Sequence, residues 1–519
     1  MITDSKPKSL SENAIWNISL RIWTLIIAFF LTPFLISKLG TYYYGFYVIL
    51  MSISGFMSVL NFGMGEAALR FVAFYHGRSD MPGINRTVGS VFSIYIVMGI
   101  LGALILSVGA RPIVGLFKIS SEEISLGRNL IQLTALTFLF ECLGATFSTI
   151  PTALQRFDIN TKLSIVQSAF QVSGTVILLL TGYGIYALVL WNLIVTVLVQ
   201  ITNVIIGKRL ISALRIGPSF SREGTKEVFH YSFFSMLTNI LGIIWANADR
   251  LLIGAFVSPN AVAFLSVPQQ LIFRGNMLIT GAGAALLPRF SAMDNNAKVQ
   301  RLYLDSTFLM LASTIIIFVP ITVLLPDFLR LWITPEFSLK SSHIGQIIAG
   351  SYIIRGAFYP FHMLFGGMNK PYLLTLHSLA NALIGLTVNI ILIPKIGLLG
   401  AGYSFLITSL VGFFTMTLTW KYVLKNDSLK ALIRPVFWPA VQAMIMLLIC
   451  FEIHYVIGPK IGWVYLILQA AIYAFVAAFF VFGIDYIIGK QDSRSKLLII
   501  LLSNLSKKLK IVSASTCLP

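Results

Sequence analysis

The sequence predicts an all-α polytopic membrane protein, and three observations predict it. The 519 residues are 57% hydrophobic and only 11% charged, with a mean hydropathy of +0.86. No water-soluble domain of this size sustains that composition. The apolar residues fall in continuous runs of about 20 to 27, not in alternating ten-residue segments, which selects helices of bilayer length over a transmembrane barrel. Lipid offers no hydrogen-bond partners, so each run must satisfy its own backbone as a helix. Finally, Lys and Arg sit mostly in tails and short loops, and the N-terminus with every second loop holds about three times as many as the opposite side. A net charge of +19 could suit a nucleic-acid binder, but this distribution reads as membrane orientation, with both termini cytoplasmic and no nucleic acid as partner.

Taken in order, the first lobe spans 13–37, 44–74, 87–109, 126–152, 162–181 and 185–206. Each run can cross about 30 Å of hydrocarbon at 1.5 Å per residue. No small-residue cleavage site follows the first run, so that span is expected to act as its own insertion signal. Pro33, Pro151, Pro268 and Pro360 interrupt spans, as transmembrane helices allow where neighbours re-satisfy the backbone. A linker at 208–230 carries Lys208, Arg209, Arg215, Arg222 and Lys226. The second lobe then spans 231–257, 261–287, 305–325, 344–368, 372–393 and 398–420. Spans 435–457 and 461–488 follow as an appendage. In the tail, Leu497 to Leu502 lie between Arg494/Lys496 and Lys507/Lys508/Lys510, the pattern of an amphipathic helix on anionic membrane lipids. The expected organisation is therefore about fourteen spans: an N-terminal lobe at 1–207, the basic linker at 208–230, a C-terminal lobe at 231–425, two extra helices at 426–489 and a basic cytoplasmic tail at 490–519.

Internal repetition supports the two lobes. Arg70-Phe-Val-Ala73 recurs as Arg289-Phe-Ser-Ala292, and Gly63-Met-Gly65 as Gly281-Ala-Gly283, about 218 residues on. Gly184-Ile-Tyr-Ala187 lines up with Gly397-Leu-Leu-Gly400, about 213 on. Both sets of six spans start from the cytoplasm, so the repeat is parallel, about a pseudo-two-fold axis along the membrane normal. These small-x-small pairs are also places where helices can approach closely.

Catalytic patterns are weak. Gly182-Tyr-Gly184-Ile-Tyr-Ala187 has glycines like a dinucleotide fingerprint, but it joins two apolar helices with no strand before it, so it reads as a tight turn. The six histidines form no ligand cluster. Of three cysteines, Cys142 and Cys450 lie in apolar runs and Cys517 in the tail, so neither a disulfide framework nor a metal is expected. Nothing resembles a nucleotide-hydrolysing site, so transport would run on a proton or sodium gradient or be passive, without a cofactor.

The chemistry lies in charges inside the spans. Arg21, Arg70, Arg250, Arg274 and Arg355 share the membrane with Glu66, Glu141 and Asp249, although each charge facing lipid at mid-bilayer costs about 2.5–3.5 kcal/mol on the insertion scale. Buried ion pairs between helices would account for some of them, and positive-inside anchoring for Arg70. The arginines outnumber the acids, however. The set therefore reads as a lumen with excess guanidinium, suited to a phosphate or pyrophosphate held bidentately.

Asn247-Ala-Asp-Arg-Leu-Leu-Ile-Gly254, followed by Ser258-Pro-Asn-Ala-Val-Ala-Phe-Leu-Ser-Val267, resembles the start of the second lobe in polysaccharide exporters. That family includes the O-antigen flippases and belongs to the multidrug/oligosaccharidyl-lipid/polysaccharide exporter superfamily. Leu39-Gly-Thr-Tyr-Tyr-Tyr-Gly-Phe-Tyr47, Leu60-Asn-Phe-Gly-Met-Gly-Glu-Ala-Ala-Leu-Arg-Phe71 and Leu154-Gln-Arg-Phe157 resemble its first-lobe pattern. The resemblance implies two six-helix bundles in a V and alternating access. It implies export of an undecaprenyl-pyrophosphate-linked glycan across a bacterial plasma membrane, alongside a glycan polymerase and chain-length machinery. A peptidoglycan-precursor flippase and a cation-coupled multidrug exporter share the fold and remain alternatives. A membrane glycosyltransferase or polymerase would want a large outer loop or a nucleotide site.

Overall fold

The computed structural model describes residues 10–61, 63–219, 222–293, 295–368, 370–423, 429–458 and 462–483. The tail at 490–519 and its amphipathic reading lie outside the described residues, as does the extreme N-terminus. The described chain is helical almost throughout, and its close backbone contacts fall into two compact units.

The first unit comprises residues 1–270 and 372–404. It opens with α1 (Leu10–Met57), α2 (Met64–Gly77), α3 (Met81–Val108), α4 (Ala110–Leu116), α5 (Ile124–Ala153), α6 (Phe157–Leu180) and α7 (Ile185–Leu210). It continues with α8 (Arg222–Phe256) and the start of α9 (Pro259–Gly283). The second unit, 271–371 with 405–519, takes the rest of α9 and then α10 (Leu286–Ser291), α11 (Asn296–Trp332), α12 (Pro335–Arg355) and α13 (Tyr359–Gly367). After α14 (Pro371–Ile396) and most of α15 (Leu398–Ser409), which group with the first unit, it resumes with α16 (Gly412–Tyr422), α17 (Leu429–Ile457) and α18 (Trp463–Ala478). This grouping divides the chain within α9, not at the basic linker.

Eleven stretches of the described residues are long and apolar enough to cross a bilayer. One of them, Ser19–Asn61, has 43 residues, about 65 Å of helix and twice a hydrocarbon core. It bends at Gly40, whose φ of 75° is left-handed and open to glycine without a Cβ clash, so it holds two of the expected spans. Two more, α8 and the pair α12–α13, are helical but too polar or too broken for that count. With these, each of the fourteen expected spans has a helix.

Local chemistry sets the ends. Asp80 caps α3 by accepting from the Gly83 N–H at 2.9 Å, with Pro82 in the first turn where no N–H is missed. Asn295 caps α11 through the N–H groups of Ala297 and Lys298. Two spans that read as continuous are broken. Ser58–Asn61 forms a 3₁₀ turn before α2, and Gly356–Phe358 another between α12 and α13. In the first unit, one face of α3 exposes Ile100, Leu101, Leu104, Ile105 and Val108, a stripe at helical spacing suited to lipid. Its other face joins α2 and α5 in a core of Met64, Val91, Tyr95 and Phe138. In the second unit α11 is the most enclosed span, most of its apolar stretch being buried.

Candidate functional site

The hairpin of α8 and α9 turns at Val257 and Ser258, whose N–H groups both bond back to the Ile253 carbonyl. Roughly two turns before it and three turns after it, Asp249 of α8 meets Gln269 of α9. Asp249 is 2% exposed and Gln269 8%. Gln269 Nε2 donates to Asp249 Oδ2 at 2.7 Å, and Gln269 Oε1 accepts from Arg250 Nε at 3.0 Å. The Arg250 backbone N–H donates to Asp249 Oδ1 at 2.8 Å. Neighbours in sequence point about 100° apart on a helix, so the acid and the base are joined through an amide from the next helix. Only one orientation of that amide serves both, since the carboxylate needs N–H and the guanidinium needs oxygen. Nε is committed to Gln269 and the guanidinium charge lies beside Asp249, while no hydrogen bond from the two terminal Nη groups of half-buried Arg250 is seen among the described residues. They form the end-on fork that matches two oxygens of a phosphate.

Gln269 is the residue that the sequence reading missed. Its signal was an amide, doubled by Gln270, in the apolar run after Pro268.

The motifs carrying the family resemblance meet at this hairpin. Thr41 Oγ1 donates to Asn260 Oδ1 at 2.7 Å, and the Ala261 N–H donates to Ser258 Oγ at 3.2 Å. Gly45 lies so close to α9 that a Cβ would come within 1.8 Å of the Pro259 carbonyl oxygen. Thus Leu39–Tyr47 and Ser258–Val267, far apart in sequence, are packing partners. Leu154–Phe157 is a structural turn: Gln155 takes φ 57°, and Arg156 holds buried Asp158 through Nε at 2.9 Å and Nη2 at 3.2 Å.

The other predicted charges of the first unit lie on three helices. Arg21 on α1, Glu66 and Arg70 on α2, and Glu141 on α5 are all exposed. Glu66 sits in the first turn of α2, where the helix dipole favours an anion. It accepts from Asn239 Nδ2 at 3.5 Å, so α8 carries both this contact and Asp249. Arg70 follows Glu66 by four residues and faces the same side. Beside Glu141, buried Cys142 lies 3.6 Å from Asn61 Oδ1. Of the repeat glycines, Gly65 makes only ordinary contact with Tyr95 and Thr149, whereas a Cβ on Gly283 would reach 2.1 Å from Met310 Cε.

Arg274 and Arg355 belong to the second unit, and both are half-buried. Arg355 ends α12 at the 3₁₀ break. Its Nη2 donates to Thr408 Oγ1 at 2.9 Å and to the Phe405 carbonyl at 3.4 Å. The Tyr352 and Phe405 rings lie 5.6 and 6.0 Å from its Cζ, within cation–π range. Nearby, the Tyr359 hydroxyl donates to Asn276 Oδ1, tying α13 to α9 two residues past Arg274. Among the described residues no group of three or more His, Cys, Asp or Glu is placed to hold a metal.

The family described as "Polysaccharide biosynthesis protein" matches residues 39–333. The chain is 22% identical over 423 residues to a Shigella flexneri protein proposed as an O-antigen transporter, covering 80% of this chain and 98% of that one. Among solved structures it is similar to the lipid II flippase MurJ in an inward closed conformation, with TM-score 0.70, 18% identity, and 92% of this chain and 99% of that chain covered. An inward-facing multidrug resistance MATE family transporter of the MOP superfamily matches with TM-score 0.63 and 13% identity, over 82% of this chain and 98% of that chain. The structural likenesses are likenesses of fold.

Proposed function

The chain belongs to the polysaccharide biosynthesis protein family, and on that premise we propose that it is a flippase and not an enzyme. It moves an undecaprenyl-pyrophosphate-linked oligosaccharide, an O-antigen or similar repeat unit, from the inner to the outer leaflet of a bacterial plasma membrane by alternating access. The O-antigen transporter assignment of the Shigella flexneri relative supports the substrate class. The single observation that carries the chemistry is Arg250, whose terminal fork is left open while Asp249 and Gln269 fix its stem. A guanidinium so held is preorganised for a pyrophosphate, and the ordering cost is met by the fold before the ligand arrives. The exposed Arg21, Glu66, Arg70 and Glu141 support a hydrated path, because in lipid their charges would be costly. Transport runs on a proton or sodium gradient or is passive, no cofactor takes part, and a glycan polymerase with its chain-length machinery takes the product.

The test is deletion in the native host followed by leaflet-resolved analysis of lipid-linked glycan. Accumulation on the inner leaflet is expected; an unchanged distribution rejects the reading. The likeness to MurJ keeps a second reading in play, flipping of a peptidoglycan precursor. Rescue of a strain depleted of its own precursor flippase would move the assignment there. A cation exporter would want a lumen dominated by acids, and this set is basic.

A further inference from the structure

After α7 the chain does not leave the protein as a free linker. Ile211 and Leu214 are buried in a core with Val72, Ile84, Val88 and Phe147. Between them Asn85 of α3 uses both ends of its amide. Nδ2 donates to the Ala213 carbonyl at 3.1 Å, and Oδ1 accepts the Arg215 N–H at 2.9 Å. Further on, the Ser219 N–H donates to the Gly89 carbonyl at 3.3 Å, and a Cβ on Gly89 would lie 2.7 Å from the Ser219 Cβ. Residues 211–219 are thus a strap pinned over the first turns of α3.

Strap and helix line a half-open cavity of about 680 Å³, within the range of ligand pockets and far larger than a single ion needs. Its charged lining residues are Arg86 of α3 and Arg215 of the strap, and no carboxylate lines it among the described residues. The nearby Asp80 is engaged at the α3 cap. Met81, Pro82, Ile216 and Pro218 supply an apolar wall. Two guanidiniums beside an apolar surface suit a ligand that is phosphate at one end and hydrocarbon at the other.

We propose that this cavity binds the phosphate headgroup of a membrane lipid. On the orientation that the basic loops imply, it opens at the inner leaflet, upstream of transport. The phosphate chemistry stands on the cavity alone; which lipid supplies it rests on the flippase reading. An isoprenoid diphosphate would make the cavity a waiting site for the carrier, and a bulk anionic phospholipid would make it an anchoring site.

The experiment is native mass spectrometry of the detergent-purified full chain, titrated separately with geranylgeranyl diphosphate, phosphatidylglycerol and inorganic pyrophosphate. At least one of the two lipids is expected to bind, and the preferred one names the source. Arg86→Ala with Arg215→Ala should weaken that binding ten-fold or more, while Arg86→Lys with Arg215→Lys keeps most of it. The thermal midpoint of each variant is measured alongside, and the lysine pair, which keeps both charges, separates loss of binding from loss of fold. Wild-type binding by the double alanine variant, or no binding of either lipid, overturns the proposal; binding of inorganic pyrophosphate alone overturns the lipid assignment. If deletion in the host leaves the glycan unmoved while phosphatidylglycerol binding still depends on these arginines, the flippase reading fails and this one stands.

Discussion

Asp249 and Arg250 were legible because a charge in an apolar run stands out on any transfer scale, and the structure places both in one hydrogen-bonded unit. Gln269, Thr408 and Tyr352 were not, because amides and hydroxyls cost little in hydropathy and their value lies in direction. The Asp249–Gln269–Arg250 relay makes a prediction at this scale. Arg250→Lys keeps the charge but loses both the Nε bond and the fork, whereas Arg250→Ala loses everything. Surface glycan should fall further in Arg250→Ala than in Arg250→Lys at equal protein levels. Gln269→Leu leaves the Arg250 charge in place but frees its stem and strips a donor from a buried carboxylate, a cost of about 1–3 kcal/mol. It should lower both transport and the thermal midpoint. Equal loss of transport in Arg250→Lys and Arg250→Ala would assign Arg250 to structural pairing instead.

The spans themselves were readable because bilayer thickness sets their length, and that constraint is blind to what happens inside a span. The 3₁₀ breaks at Ser58–Asn61 and Gly356–Phe358 leave hydropathy unchanged, so spans 2 and 10 read as continuous; in span 10, Pro360 was the visible trace. Close packing between elements is equally silent. Gly45 looks like any glycine in Tyr44-Gly-Phe46, yet it lets α1 touch the start of α9. Gly45→Ala puts a Cβ 1.8 Å from the Pro259 carbonyl oxygen, backbone that cannot rotate away. The expected destabilisation is about 1–3 kcal/mol or more, as for overpacked cores. Gly115→Ala is the matched control, because nothing lies within 4 Å of its added Cβ and alanine favours the helix. A lower thermal midpoint for Gly45→Ala but not Gly115→Ala, measured in the same detergent, is the expected result. Matching midpoints would mean that α1 and α9 shift apart at no cost.

At the scale of the whole molecule, the strongest sequence statement about direction is the distribution of Lys and Arg, and it makes a prediction independent of any contact. Positive loops stay on the side from which a helix inserts, so a bias of about three to one predicts the 208–230 linker inside and the turn at 181–184 outside. Single-cysteine labelling can read both sides, since Cys142 and Cys450 are buried and Cys517 can be replaced by Ser. Ala213 on the strap and Tyr183 in the turn are exposed, so cysteines there meet reagent without opening the fold. A membrane-impermeant maleimide applied to intact spheroplasts should label Tyr183→Cys and spare Ala213→Cys; permeabilised cells should label both. The reverse pattern would invert the topology. It would also move the Arg86–Arg215 cavity to the outer leaflet, where it could receive a lipid after transport but not before. Labelling of both in intact cells would break the alternation of spans between Tyr183 and Ala213. That would require α7 (Ile185–Leu210), 26 residues of nearly unbroken apolar sequence, not to cross, against the roughly 20 residues that suffice for a span.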